Sequence, residues 1–182
     1  MKTEPEKSHR QLSHAEIISN KEERRSQIQN DTSPIILLLD RMNDARNLGA
    51  IFRLADAGRV AGIYSFKSSV ADLSKVTRVS RQTASQIPYY SLEKLGEVIE
   101  LTKTYKSIAL EYTNQSMVYT SYSDRTPCML VIGNERNGVS QELLNLCQES
   151  LHIPMLGQNS SMNVSTATGI ILYHLLGVMG RV

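Results

Sequence analysis

The sequence predicts an α/β domain, a mainly parallel sheet with helices on both faces. Short apolar runs alternate along the chain with longer segments whose apolar residues recur at helical spacing. The first run, Ile35-Ile-Leu-Leu-Leu39, is apolar at every position, as in a strand covered on both sides. Three of the runs end in polar loops, and in such a sheet the crevice beyond the carboxyl ends of the strands takes the ligand.

The elements follow in order. Residues 1–31 form a polar leader in which Leu12, Ala15, Ile17, Ile18 and Ile28 give a partly helical segment one modest apolar face. From residue 32 to 182 the pattern is that of one domain. Strand Ile35–Leu39 leads through Asp40–Arg46 into a helix over Asn47–Ala57, with Leu48, Ile51, Phe52 and Ala55 on one face and Gly58 as its stop. Ile63–Phe66 reads as strand and Leu92–Leu101 as helix. Ser107–Leu110 and Met129–Ile132 read as strands, Val139–Cys147 as helix and Leu151–Ile153 as strand. Val164–Val178 closes the chain as a helix.

Composition narrows the class. With 41% hydrophobic and 21% charged residues, the chain is that of an ordinary globular protein. It has no apolar run of about 18 residues and no secretory signal pattern, so a cytoplasmic protein without a membrane span is expected. Cys128 and Cys147 stand far apart with no Cys-x-x-Cys spacing, and the four histidines are scattered; no metal site is expected. The net charge of +2 hides a basic segment. Residues 40–82 carry Arg41, Arg46, Arg53, Arg59, Lys67, Lys75, Arg78 and Arg81 against Asp40, Asp44, Asp56 and Asp72. Such a bias suits a solvated surface, and beside polar loops it also suits a phosphate-rich partner.

The three loops carry the chemistry. The first leads to Asn47 and, farther along the helix, Arg53. The second, Gly133-Asn-Glu-Arg-Asn-Gly138, has the opening spacing of a phosphate-binding loop, but Val139 stands where that loop needs lysine and Glu135 sits inside it. The third, Pro154–Asn163, is long and polar. Taken singly, each has a structural reading: Asn47 and Asn163 as helix caps, Gly133 and Gly138 as turn residues, Arg53 as a surface charge.

Taken in order, Asn47-Leu-Gly-Ala-Ile-Phe-Arg53, Ile132-Gly-Asn-Glu-Arg-Asn-Gly-Val-Ser140 and Ile153-Pro-Met followed by Ser161-Met-Asn-Val-Ser165 resemble the three motifs of the SpoU (TrmH) family of SPOUT RNA 2′-O-ribose methyltransferases. The resemblance spans residues 35–180. It implies the SPOUT fold, whose C-terminal segment forms a deep trefoil knot, a rare exception to the avoidance of threading. It implies S-adenosylmethionine as cofactor, whose positive sulfonium tolerates an acid in the loop. Leu110, Gly133, Ile153, Ser161 and Met162 are then the cofactor residues, and transfer goes to a ribose 2′-hydroxyl of tRNA or rRNA.

Arg53 matches the family's catalytic arginine. A guanidinium seldom gives up its proton, so a grip on phosphate and on the developing oxyanion is the expected role. Asn47 is expected to place the ribose, Glu135 to position RNA or accept the proton, and Asn163 to fasten the third loop. Arg41, Arg46, Arg78 and Arg81 are expected to contact RNA phosphates. The chain ends directly after the last helix and shows no separate RNA-binding domain, so the catalytic domain itself is expected to recognise RNA. The resemblance implies a homodimer with composite sites, and the closing helix, more apolar than one buried face requires, is in keeping with it. The rival readings are a catalytically silent RNA-binding module of the same fold and a phosphate-loop nucleotide hydrolase.

Overall fold

The computed structural model describes residues 10–27, 32–68 and 86–182. The chain divides between residues 31 and 32 into two units. In the first, helix α1 spans His14–Gln27. Its start is a capping box: Glu16 Oε2 accepts the Ser13 amide at 2.8 Å, and Ser13 Oγ accepts the Glu16 amide at 3.3 Å. Arg10 pairs with the same carboxylate, holding it down at about 2.

In the second unit, seven strands among the described residues form one sheet whose pairings are all parallel: β1 Ser33–Asp40, β2 Val60–Phe66, β3 Tyr89–Leu92, β4 Lys106–Leu110, β5 Met117–Val118, β6 Cys128–Ile132 and β7 Glu149–His152. Their order across the sheet is β3-β2-β1-β6-β4-β7-β5. The helices of this unit among the described residues are α2 Ala45–Ala57, α3 Leu95–Thr102, the single turn α4 Gln141–Leu144 and α5 Val164–Val178, with a 3-10 turn at Tyr119–Ser121.

The apolar run of β1 is buried on both faces. Ile35, Leu37 and Leu39 join Leu48, Ile51, Phe52 and Ala55 of α2 and Ile171, Leu172, Leu175 and Leu176 of α5. Ile36 and Leu38 face the opposite core, with Val98 of α3 and Leu143 of α4. Each such side chain contributes about 1.5–3 kcal/mol by leaving water. β6 repeats the alternation, with Cys128, Leu130 and Ile132 on one side and Met129 and Val131 on the other. The predicted α/β sheet with helices on both faces is therefore present.

Helix α2 is capped by Asp44, whose carboxylate accepts the Arg46 amide at 2.8 Å. Asn47 is thus not a cap but lies inside the helix. Gly58 ends it without a left-handed angle, at φ −86°; Arg59 takes that conformation at φ 49°. What Gly58 supplies is clearance. A Cβ there would meet Leu176 Cδ1 at 3.1 Å and Leu172 Cδ2 at 3.2 Å, so α5 packs close against the end of α2.

Two helix predictions need correction. Leu92 ends strand β3, and the helix expected from it begins at Leu95; the Tyr-Tyr-Ser-Leu segment pairs with β2, a tertiary contact that outweighs helical spacing. The helix expected over Val139–Cys147 is a single turn, Gln141–Leu144, because the Val139 and Ser140 amides bond to the carboxylates of Glu111 and Asp40 at the ends of β4 and β1. Val164–Val178 is helical over its predicted span, with Asn163 as N-cap accepting the Ser165 and Thr166 amides.

Candidate functional site

The register of the central strands aligns Leu39, Ile132 and Leu110 side by side. The residues that follow them, Asp40, Gly133 and Glu111, therefore stand at one edge of the sheet, where the loops after β1, β6 and β7 converge. This is the crevice expected at the carboxyl ends of parallel strands.

The Gly133–Gly138 loop folds back on itself. Asn134 and Gly138 exchange backbone hydrogen bonds of 3.2 and 3.1 Å. Asn134 Oδ1 accepts the Arg136 and Asn137 amides at 2.9 and 2.8 Å, an Asx turn that shapes the loop from within. Gly138 has φ +64°, and a Cβ on Gly133 would stand 2.0 Å from the Gly138 carbonyl carbon. One glycine is there for its backbone angle and the other for its closeness to the returning chain.

Three side chains far apart in sequence meet beside this loop. Asn47 Nδ2 donates to Glu135 Oε1 at 2.6 Å, and Asn163 Nδ2 donates to Asn47 Oδ1 at 3.0 Å. Asn47 is 8% exposed. Its amide uses its carbonyl for one neighbour and its amino group for the other, which fixes its orientation. Asn163 also accepts the Ser165 and Thr166 amides with Oδ1, so it serves as a helix cap and as the third member of the chain at once.

A cavity of about 570 Å³ opens at the same edge. Leu110, Gly133, Ile153, Ser161 and Met162, all five residues expected to hold a cofactor, line it, as do Glu135 and Asn163. Glu111, Tyr112, Arg136 and His152 line it too, and the sequence reading did not single them out. For Glu111 there was one signal, an acid placed directly after a buried strand. Tyr112 packs edge-on against His152 with ring centroids 4.6 Å apart. Volume and lining are those of a small-molecule site.

The arginines are distributed differently. Arg53 is exposed on α2, has no hydrogen-bond or ion-pair partner among the described residues, and does not line the cavity of its own chain. Arg41 Nε donates to Asp40 Oδ1 at 3.1 Å, so it pairs with a fully buried carboxylate. Arg46 pairs with Asp44 at 2.8 Å, which keeps the Asp44 carboxyl below its ordinary range. Arg78 and Arg81 lie outside the described residues. Among the described residues no group of His, Cys, Asp and Glu could hold a metal ion, and no helix is long and apolar enough to cross a membrane.

The comparisons with known proteins concern the family and the fold. The chain is 32% identical over 148 residues to the 23S rRNA (guanosine-2′-O-)-methyltransferase RlmB of Blochmanniella floridana, covering 79% of this chain and 58% of the relative. A putative TrmH family tRNA/rRNA methyltransferase of Staphylococcus saprophyticus is 33% identical over 148 residues, covering 80% and 59%. The chain thus spans about six tenths of the length of these relatives. Among solved structures, an AdoMet-bound rRNA methyltransferase from Sinorhizobium meliloti superposes with a TM-score of 0.74 at 26% identity, covering 83% of this chain and 59% of that one. The SpoU methyltransferase AviRb from Streptomyces viridochromogenes, in complex with AdoMet, gives 0.73 at 27% identity, covering 86% and 64%. A model of the SpoU rRNA methylase family matches residues 34–173, a span that takes in all three loops, and the chain belongs to that family.

Proposed function

We propose that this protein transfers a methyl group from S-adenosylmethionine to a ribose 2′-hydroxyl of tRNA or rRNA. The observation that carries the reading is the hydrogen-bonded series Glu135–Asn47–Asn163 beside a cavity lined by all five residues expected to hold the cofactor. The lining fits that group: Glu111 and Glu135 offer negative charge to a positive sulfonium, which outweighs the one arginine, Arg136, among the described lining residues. Leu110, Ile153 and Met162 would flank the adenine, with Gly133 and Ser161 supplying polar contacts. When bound, S-adenosylmethionine supplies a methyl group activated by its positive sulfur.

The protein's own groups do the rest. Glu135 Oε1 accepts a hydrogen bond from Asn47 Nδ2, which leaves Oε2 to accept the proton of the ribose hydroxyl. Asn47 and Asn163 hold that carboxylate in place. The exposed Arg53 guanidinium grips the neighbouring phosphate and steadies the developing oxyanion, and needs no proton loss to do so. Because Arg53 is not on its own chain's cavity, the site is completed in a homodimer in which Arg53 of one subunit serves the cavity of the other. A knotted C-terminal segment, as in the SPOUT fold, is part of the same reading.

Complementation tests the shared site. Arg53→Ala and Gly133→Trp are each expected to be inactive, and exchanging their subunits should restore activity, since one site of each mixed dimer carries neither defect. Exchanged dimers that stay inactive would place Arg53 in its own subunit's site. Full activity of Arg53→Ala in a radiolabelled methyl-transfer assay would remove its catalytic role. Mass mapping of ribose methylation in cells with and without the protein identifies the RNA, and an unchanged methylation map would overturn the reading.

A further inference from the structure

The chain that leaves the Gly133–Gly138 loop passes between two carboxylates. The Val139 amide donates to Glu111 Oε2 at 2.9 Å, and the Ser140 amide donates to Asp40 Oδ2 at 2.6 Å. Asp40 ends β1 and Glu111 directly follows β4, the strands on either side of β6. Asp40 is fully buried and already paired with Arg41, which makes it part of the core. Glu111 differs, because it borders the cavity.

Glu111 is also held on several sides. Its Oε1 accepts the Tyr112 amide at 3.0 Å, its own amide donates to the Leu151 carbonyl at 3.1 Å, and its carbonyl accepts Ser150 Oγ at 3.1 Å. A Cβ on Gly138 would come within 2.1 Å of Oε2, so the glycine gives the carboxylate room to reach the loop. A strand end fixed to β7 thereby reaches across to the glycine loop through one side chain.

We propose that Glu111 is a positioning residue that sets the height of the Gly133–Gly138 loop over the cavity and so tunes cofactor affinity. Two amides, those of Val139 and Tyr112, need its two oxygens. A glutamine keeps one acceptor oxygen and an alanine keeps none, so the two substitutions should differ in degree. The effect on affinity rests on the cofactor reading of the cavity; the effect on the loop does not.

The test is amide hydrogen exchange on the full chain, followed by calorimetric titration with S-adenosylmethionine. In Glu111→Ala, protection of the Val139 amide should fall at least about tenfold while amides of β1 and β6 keep theirs, because one charge-assisted hydrogen bond is lost locally. Glu111→Gln should lose protection at one of the two amides and keep it at the other. Cofactor affinity should weaken about tenfold in the alanine variant and about threefold or less in the glutamine variant. In turnover the cofactor KM should rise more than kcat falls. Unchanged Val139 protection in Glu111→Ala overturns the proposal, and so does a uniform loss of protection across the sheet. If the unaltered protein fails to bind S-adenosylmethionine, the cofactor reading fails, and the Val139 amide still decides the role of Glu111.

Discussion

Asn47 is the joint between the three loops, and Asn47→Ala measures what that joint contributes. Its bond to Glu135 involves a charged group; such bonds contribute about 1.5–3 kcal/mol, and the exposure of Glu135 places this one at the low end. Its bond from Asn163 is neutral and contributes about 1 kcal/mol. Alanine is the better helix former and offsets roughly 0.6 kcal/mol, since position 47 lies inside α2. A net loss of about 2 kcal/mol is expected in urea unfolding, with Tm lower by roughly 4–8 °C for a domain of this size. Methyl transfer should fall roughly 10- to 100-fold, because a freed Glu135 no longer holds its distance from the ribose. A double-mutant cycle with Glu135→Ala should return a coupling of about 1 kcal/mol. A stability change under about 0.5 kcal/mol with unaltered turnover would refute the reasoning, for it would mean that the three side chains are neighbours without being coupled.

Three further perturbations separate local roles. Gly133→Ala places a methyl against the Gly138 backbone at 2.0 Å, which only movement of the loop can relieve; calorimetry should show cofactor binding lost while circular dichroism keeps the α/β signature. Arg41→Gln leaves buried Asp40 without its cation and should cost about 1–3 kcal/mol, whereas Arg46→Gln, at a side chain that is 86% exposed, should leave the urea midpoint unchanged and weaken only RNA binding. Burial pushes the Cys128 thiol up to about 12. The folded state therefore holds its proton more tightly than the unfolded chain, whose thiol titrates near about 8.5. That stabilisation is full below about pH 8.5 and is lost as pH rises toward 12. Tm should fall with pH in this window, and Cys128→Ala should make the fall shallower.

The sequence was legible where a residue's environment follows from its near neighbours. The unbroken run Ile35–Leu39 required cover on both faces, and both cores supply it. The spacing of Leu48, Ile51, Phe52 and Ala55 required a helix with one buried stripe. The motif order brought out Asn47, Glu135 and Asn163, which the fold joins by two hydrogen bonds across sequence separations of 88 and 116 residues. Local pattern misled at Leu92, where strand pairing with β2 outweighed helical spacing; Gly58 stops α2 as expected, but its glycine serves the packing of α5 and not a left-handed turn.

By itself the sequence determined the alternation of strands and helices, the cores they form and the polar loops that end the central strands, because period and residue size act within a few positions of the chain. Tertiary structure decided the rest. The strand order sets β1, β6 and β4 side by side, and only that order places Asp40 and Glu111 on either side of Gly133. Glu111 carries no motif, since its partner amide lies 28 residues away and is reached through the register of neighbouring strands. Arg53 likewise reads as part of a motif, yet the rotation of α2 carries it to the surface, away from the cavity of its own chain. Hydrogen bonds and cavities depend on distances between segments, and those distances exist only once the sheet has fixed its order.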